Sequence, residues 1–393
     1  MRPWSSWAPV SSALLLFVLL GAVPASLGAA LPALRQHYDV SVARGGSLLS
    51  LFSLGSLVVI AACGFGQRRL RPKPTLTVLL AAFVAGCIAI WLAPDWAFLQ
   101  AAAVVTGGGF GGLVLSLNTA FAQGFGDRGV VMLNVLNAAW GAGAIGGPVL
   151  EGALVGVNVR ILFLGAALVA VLCVPIRRFA GALAEGTGAV ARTSPLLSRR
   201  MIKFILPFAA IGLLYDGLEY GVGSWESTHL TWIGFSTASA AQIAGSYWAG
   251  LTIGRLVIPV VASRLAPPTL VLAGICVADV ALWATSVSRF TPYGYAIAGF
   301  GLAPVLPTTL AWVARFTPTP QTVNSVIFMA AMLGGVLSPG LIGLVADRNS
   351  PASISISLAV IATLCLLAVW YTKRATAATA IDSTQALAHV SDR

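Results

Sequence analysis

Gly143-Ala144-Ile145-Gly146-Gly147-Pro148-Val149-Leu150-Glu151-Gly152 lies inside a long apolar run, and it has an echo. Gly334, Pro339 and Gly343 repeat Gly143, Pro148 and Gly152 at one constant offset of 191 positions. The same displacement carries Phe17 and Gly21 onto Phe208 and Gly212. Gly109-Phe110-Gly111 meets Gly299-Phe300-Gly301, and Arg69-Leu70-x-Pro72 meets Arg264-Leu265-x-Pro267, in the same order. Matches that keep their order over the whole chain mark an internal duplication rather than mere glycine richness.

The duplicated unit is built for lipid. Of 393 residues, 58% are hydrophobic and only 9% charged, with a mean hydropathy of +0.90. Soluble domains carry about 25% charged residues, so a soluble enzyme, a secreted disulfide scaffold and a disordered chain are excluded. A bilayer core takes about 20 apolar residues per helix. Twelve stretches qualify, at 11–34, 43–66, 75–94, 96–122, 129–155, 159–176, 202–224, 237–263, 269–289, 292–314, 321–345 and 352–372. The expected organisation is all-α: a six-helix unit over 1–176, a linker over 177–201, a second six-helix unit over 202–372, and a polar, disordered tail over 373–393.

Charge placement orients these spans. Most of the 23 Lys and Arg residues fall on the side that carries both termini, in clusters such as Arg68, Arg69, Arg71 and Lys73, or Arg177, Arg178, Arg192, Arg199, Arg200 and Lys203. Arg35, Arg44, Arg160, Arg289 and Arg348 fall on the other side, and Arg255 within a span. By the positive-inside rule both termini are cytoplasmic, in a cell membrane of bacterial inner-membrane type. The rule also accounts for the formal charge of +11 without nucleic acid. All five cysteines fall inside spans and give no disulfide or metal spacing. His37 and His229 are expected in solvated loops, and His389 in the tail. No metal, cofactor or enzymatic activity is expected, and the chain is expected to be a monomer.

Two six-helix repeats joined by a basic loop resemble the major facilitator superfamily over residues 1–375. That resemblance implies alternating access around a central cavity, with spans 1, 4, 7 and 10 lining it and spans 3, 6, 9 and 12 facing lipid. The family's loop after span 2 reads G-x-x-x-D-R-x-G-R-K. Here Gly64, Arg69 and Lys73 match, whereas Arg68 replaces the Asp and Arg71 the second Gly. The resemblance therefore implies an inner gate that lacks its usual carboxylate latch; the cluster also reads as an orientation signal only. The span 5 stretch quoted above resembles the family's antiporter pattern, with Glu151 where a Gly is expected. Gly143, Gly147, Pro148 and Gly152, with Gly143, Pro148 and Gly152 recurring as Gly334, Pro339 and Gly343, equally suit close helix packing.

Charges inside spans are expensive and mark candidate sites. Glu151, Asp216, Glu219, Arg255 and Asp279 are the five expected there. In span 7, Gly212, Tyr215, Asp216, Glu219, Tyr220 and Gly223 form one polar stripe at helical spacing, opposite Ile211, Leu214, Leu218 and Val222. Carboxylates one turn apart in a low-dielectric site repel and titrate as a pair, which suits a proton-coupled carrier; Glu219 carries the greater weight, and a packing role for the pair is the competing reading. The run Leu214–Trp225 is similar to span 7 of fucose-permease-like sugar transporters. Arg255 and Asp279 stand about 12 and 15 Å from the ends of adjoining spans at 1.5 Å per residue, so a buried ion pair is expected between them. Glu151 reads either as a gate residue or as a surface group.

Candidate solute contacts are Tyr215, Tyr220, Asn118, Asn137, Trp140, Gln242, Trp248, Trp312 and Asn324, although each Trp also suits an interfacial anchor. Amides, carboxylates and aromatic faces suit a sugar-like solute, and also a flat amphipathic drug. Without a cation placed in the cavity, phosphorylated and dicarboxylate cargo is disfavoured. Three readings follow: a proton-coupled transporter of a small polar solute, a proton-driven exporter of amphipathic compounds, and a non-transporting membrane receptor or scaffold.

Overall fold

Apolar runs bounded by Pro, Gly and short polar turns fold as helices because a bilayer offers backbone groups no other partner. In the computed structural model, which describes residues 7–66, 71–179, 199–262, 264–317 and 320–391, no strand occurs among those residues. The helices are α1 Trp7–Tyr38, α2 Val42–Gly66, α3 Pro72–Leu92, α4 Trp96–Gly124, α5 Gly129–Leu154 and α6 Ile161–Val171. They continue with α7 Arg199–Trp232, α8 Thr237–Val261, α9 Pro267–Ala284, α10 in two segments (Thr291–Leu302 and Val305–Ala314), α11 Pro320–Arg348 and α12 Ser353–Ser391. Among the described residues eleven helices are long and apolar enough to cross a membrane, and α6 is a shorter apolar helix.

Several boundaries differ from expectation, each for a local reason. The sixth stretch is helical only to Val171 and passes into a 3-10 turn, Val174–Phe179, where Pro175 lacks the N–H a longer helix would need. The seventh runs on to Trp232 instead of stopping at 224. The tenth breaks between Leu302 and Val305, at Pro304. The tail expected as disordered continues α12 to Ser391: nothing after Pro351 is Gly or Pro, and its alanines favour helix. The basic linker and the Arg68-Arg69 pair lie for the most part outside the described residues.

Successive helices run antiparallel, so α1 and α7 start at one end of the bundle, the terminal end, and finish at the other, the distal end. A polar knot ties the distal turns of the first helices: Tyr38 Oη donates to Ala93 O at 2.7 Å, and Arg160 Nη1 donates to Tyr38 Oη at 2.8 Å and to Ala93 O. The repeated glycines set helix–helix distances. A Cβ on Gly143 would collide with Val18 O of α1, and one on Gly334 with Leu213 O of α7. The span 5 motif and its echo thus do the same packing job in α5 against α1 and in α11 against α7. Outward faces of α3, α6, α9 and α12 carry exposed Val78, Leu168, Val280 and Leu364, among others.

Contacts between the first six helices and the last six gather towards the distal end. Gly28 lies against the Gly223 carbonyl, and Ser227 Oγ donates to Ala29 O at 3.0 Å, joining α1 to α7. Gly46 lies against Pro339 O, Gly340 N donates to Ser50 Oγ at 2.9 Å, and Val42 N donates to Asp347 Oδ1 at 3.0 Å, joining α2 to α11. Helices α5 and α8 touch from Gly141 beside Thr252 to Gly152 beside Ala238. On the terminal side of the Gly141 contact they part.

Candidate functional site

The parting of α5 from α8 leaves an open cavity of about 450 Å³. Leu133, Asn134, Asn137 and Trp140 line it from α5; Thr252, Arg255, Leu256 and Pro259 from α8; and Ala303, Pro304, Pro307 and Thr308 from α10. The break in α10 matters here. Without an N–H at Pro304 and Pro307 the helix cannot run straight through, and its offset segments form the third wall.

At the cavity wall stands the one salt bridge among the described residues. Arg255 Nη2 donates to Glu219 Oε2 at 2.9 Å and to Oε1 at 3.2 Å. Tyr215 Oη, one turn before Glu219, donates to Oε2 and accepts from Arg255 Nη2 at 3.1 Å. Tyr247 Oη of α8 donates to the Glu219 carbonyl at 3.1 Å. The Arg255 side chain is 37% exposed and that of Glu219 10%, so the cation faces the cavity and the carboxylate sits behind it.

This geometry corrects three expectations. Arg255 does not pair with Asp279, which instead accepts from Thr363 Oγ1 of α12 at 2.7 Å; the two residues leave their helices towards different neighbours. A cation does reach the cavity, so the argument against acidic cargo loses its premise. His229 is not a solvated loop residue. It is buried in α7, its Nδ1 sits 2.8 Å from Tyr295 Oη, and Trp232 stacks against it.

The remaining candidates divide. Asn137 lines the cavity, and its Nδ2 donates to Asn118 Oδ1 at 3.2 Å, so that pair and Trp140 are together. Trp248 is buried behind Trp140, edge-on at 5.5 Å between ring centroids. Asp216 and Tyr220 lie half-buried against Gly335 of α11. Gln242 packs on Gly152 at the distal contact, and Trp312 is buried against Phe208; neither lines the cavity. Asn324 is half-buried in α11, outside the cavity lining, with Oδ1 unpartnered. Glu151 is fully buried, so the surface reading fails, and both its oxygens lack a hydrogen-bond partner among the described residues. Of the gate motif, the Gly64 backbone lies in the last turn of α2 and Lys73 is exposed at the start of α3, while Arg69 lies outside the described residues.

Sequence reasoning missed Asn134, Thr252 and Thr308 in the lining, and Glu226. The latter is a fully buried carboxylate of α7 with both oxygens unpartnered. Placing the end of span 7 at 224 left it outside the helix. Asn134 was within reach of the reading, since it lies one turn before Asn137 on the same face of α5.

Comparison with known proteins agrees with this architecture. Among solved structures the chain resembles the nucleoside transporter NupG (TM-score 0.70, 14% identity, 93% of this chain and 98% of that one). It also resembles a D-xylose-proton symporter (0.71, 13%, 93% and 97%) and a variant of the E. coli fucose:proton symporter FucP (0.58, 14%, 93% and 98%). At these identities the likeness is one of fold. No curated protein matches by sequence. The family model described as Major Facilitator Superfamily matches residues 13–320, and the chain belongs to that superfamily of membrane transporters.

Proposed function

We propose that the protein is a proton-coupled secondary transporter of a small, polar, hydroxylated organic solute, working by alternating access between two six-helix units, 1–176 and 202–372. The observation that carries the reading is the Glu219–Arg255 pair at the wall of a cavity that is closed towards the distal end and open towards the terminal end. A carboxylate held by a cation beside an open cavity is a group whose charge solute and access state can both bias. The amides of Asn134 and Asn137, the hydroxyls of Thr252 and Thr308 and the face of Trp140 suit hydroxyl-bearing cargo. Asp216 and Glu151 are further candidates for carrying protons. The positive-inside bias makes the terminal end cytoplasmic, so this is the inward-facing state of a protein in the cell membrane. The names of the xylose and fucose symporters point the same way.

Proteoliposomes with a pH-sensitive dye inside test this. A panel of neutral and acidic sugars is added outside to wild type and Glu219→Gln. Solute-dependent acidification that the variant loses supports the proposal. Acidification that the variant keeps moves the coupling proton off Glu219, and no response to any solute defeats the reading.

A further inference from the structure

Every bond between the Arg255 guanidinium and the described residues leaves from one nitrogen. Nη2 serves Glu219 Oε1, Glu219 Oε2 and Tyr215 Oη. Nη1 and Nε have no protein acceptor among the described residues, and the side chain, 37% exposed, lines the cavity wall. The ion pair therefore shows the cavity its cationic end and hides its anionic one. No carboxylate lines the cavity among the described residues.

A planar guanidinium with one nitrogen anchored and the Nη1/Nε edge open is a two-donor fork matched to a carboxylate. We propose that the solute is a hydroxylated organic monocarboxylate of the sugar-acid class. The open edge of Arg255 grips its carboxylate, while Asn134, Asn137, Thr252 and Thr308 read its hydroxyls. This rests on the transporter reading above and narrows its cargo.

Charge balance links the anion to the proton. With the neighbouring Asp216 carrying a proton, Arg255 and Glu219 together are neutral, so a bound monoanion leaves one excess negative charge in a low-dielectric site. One proton on Glu219 removes it. Protonated Glu219 keeps Tyr215 as a partner and releases its claim on Nη2, so Arg255 exchanges an internal carboxylate for an external one. The titratable and charged groups around Glu219 are Tyr215, Asp216, Tyr220 and, two turns on, Glu226 from α7, with Tyr247 and Arg255 from α8. Tyr295 of α10 stands beyond, bonded to His229, while α11 and α12 present Ser338 and Leu358 to the neighbouring turn. A phosphate ester, with up to two negative charges, would ask for a second cation, and the described lining holds only Arg255. A neutral sugar offers the fork weaker acceptors.

The test uses the full chain in proteoliposomes with labelled D-glucuronate and D-gluconate set against D-glucose and D-xylose. At least one acid should enter with one proton per anion, at a rate insensitive to a valinomycin-clamped potential. The neutral sugars should enter about tenfold more slowly or less. Neutral sugars entering as fast as the acids overturn this inference while leaving the transporter reading intact; no entry of any solute overturns both. Arg255→Lys keeps the charge without the fork and should lose glucuronate uptake. Glu219→Gln should keep glucuronate counterflow but lose accumulation driven by a pH gradient. A pair that only holds helices together would lower both activities in step, and loss of counterflow in Glu219→Gln overturns the exchange. Where Arg255→Lys fails to reach the membrane, the Glu219→Gln result decides.

Discussion

Ser50 on α2 accepts a hydrogen bond from the backbone N–H of Gly340 on α11 at 2.9 Å, across 290 residues of chain. A Cβ on Gly340 would stand 2.9 Å from the same Oγ, so the glycine faces Ser50 without room for a side chain of its own. The contact belongs to the distal closure and to no wall of the cavity.

A wedge there should open the distal end. Ser50→Leu overpacks the contact by about 1–3 kcal/mol, which moves a two-state equilibrium roughly tenfold or more. In a cysteine-free background bearing Ser26→Cys, a membrane-impermeant maleimide added from the distal side should label the wedge variant about tenfold faster. Equal labelling rates would remove Ser50 from the closure.

The two members of the ion pair should differ in stability. Arg255→Gln strands a nearly buried carboxylate, whereas Glu219→Gln strands a guanidinium that cavity water can reach. Thermal unfolding in detergent at neutral pH should rank wild type above Glu219→Gln above Arg255→Gln. The last is expected to lose roughly 3–5 kcal/mol, and the double Gln variant to recover part of it. The reverse order would mean that the cation, not the anion, is the buried partner.

Gly143 and Gly334 should be interchangeable in consequence. Each Gly→Val substitution pushes a side chain into a carbonyl of the facing helix, Val18 or Leu213. Both should cost about 1–3 kcal/mol or more and lower the melting temperature to a similar extent. A variant at 143 that melts normally but no longer transports would revive a role for this motif beyond packing.

Glu151 and Glu226 should be expensive to keep. Their four carboxylate oxygens are buried without partners among the described residues, and leaving such groups unsatisfied costs about 1–3 kcal/mol or more each. Glu151→Met and Glu226→Met should raise the melting temperature. A stabilised variant that no longer accumulates solute would identify a carboxylate retained for function, and lower stability in both would show that partners exist.

Most of the spans were legible in composition, which a bilayer enforces residue by residue; the duplication was legible in glycine and proline matches at a constant offset, and the family in the motifs that resemble it. Arg255's partner was not. Glu219 and Asp279 both lie within helical reach of it, and only the rotation of α8 between its neighbours, a property of packing, selects Glu219. Glu226 and His229 were hidden for a related reason. Ser224-Trp225-Glu226-Ser227-Thr228-His229 reads as a loop by hydropathy, yet the helix continues. Ser227 bonds to α1, His229 bonds to Tyr295, and Trp225 Nε1 donates to Pro339 O at 3.0 Å. Polar residues that find partners inside the bundle look the same in sequence as polar residues that find water.

The distal seams bring backbone close to backbone at their glycines. Gly28 on Gly223, Gly46 on Pro339, Gly152 on Ala238 and Gly340 beside Ser50 bring the helices close, with Trp248, Trp225 and Gln242 packed beside them. Knobs seated in holes must be withdrawn one rotamer at a time, whereas flat surfaces held by a few hydrogen bonds part without dragging neighbours along. Such a seam has low friction: it shuts closely enough to exclude a solute, yet little interlocking must be undone to open it. Speed of cycling is then governed by how few bonds span the join, and every side chain added there acts as a brake before it acts as a lock.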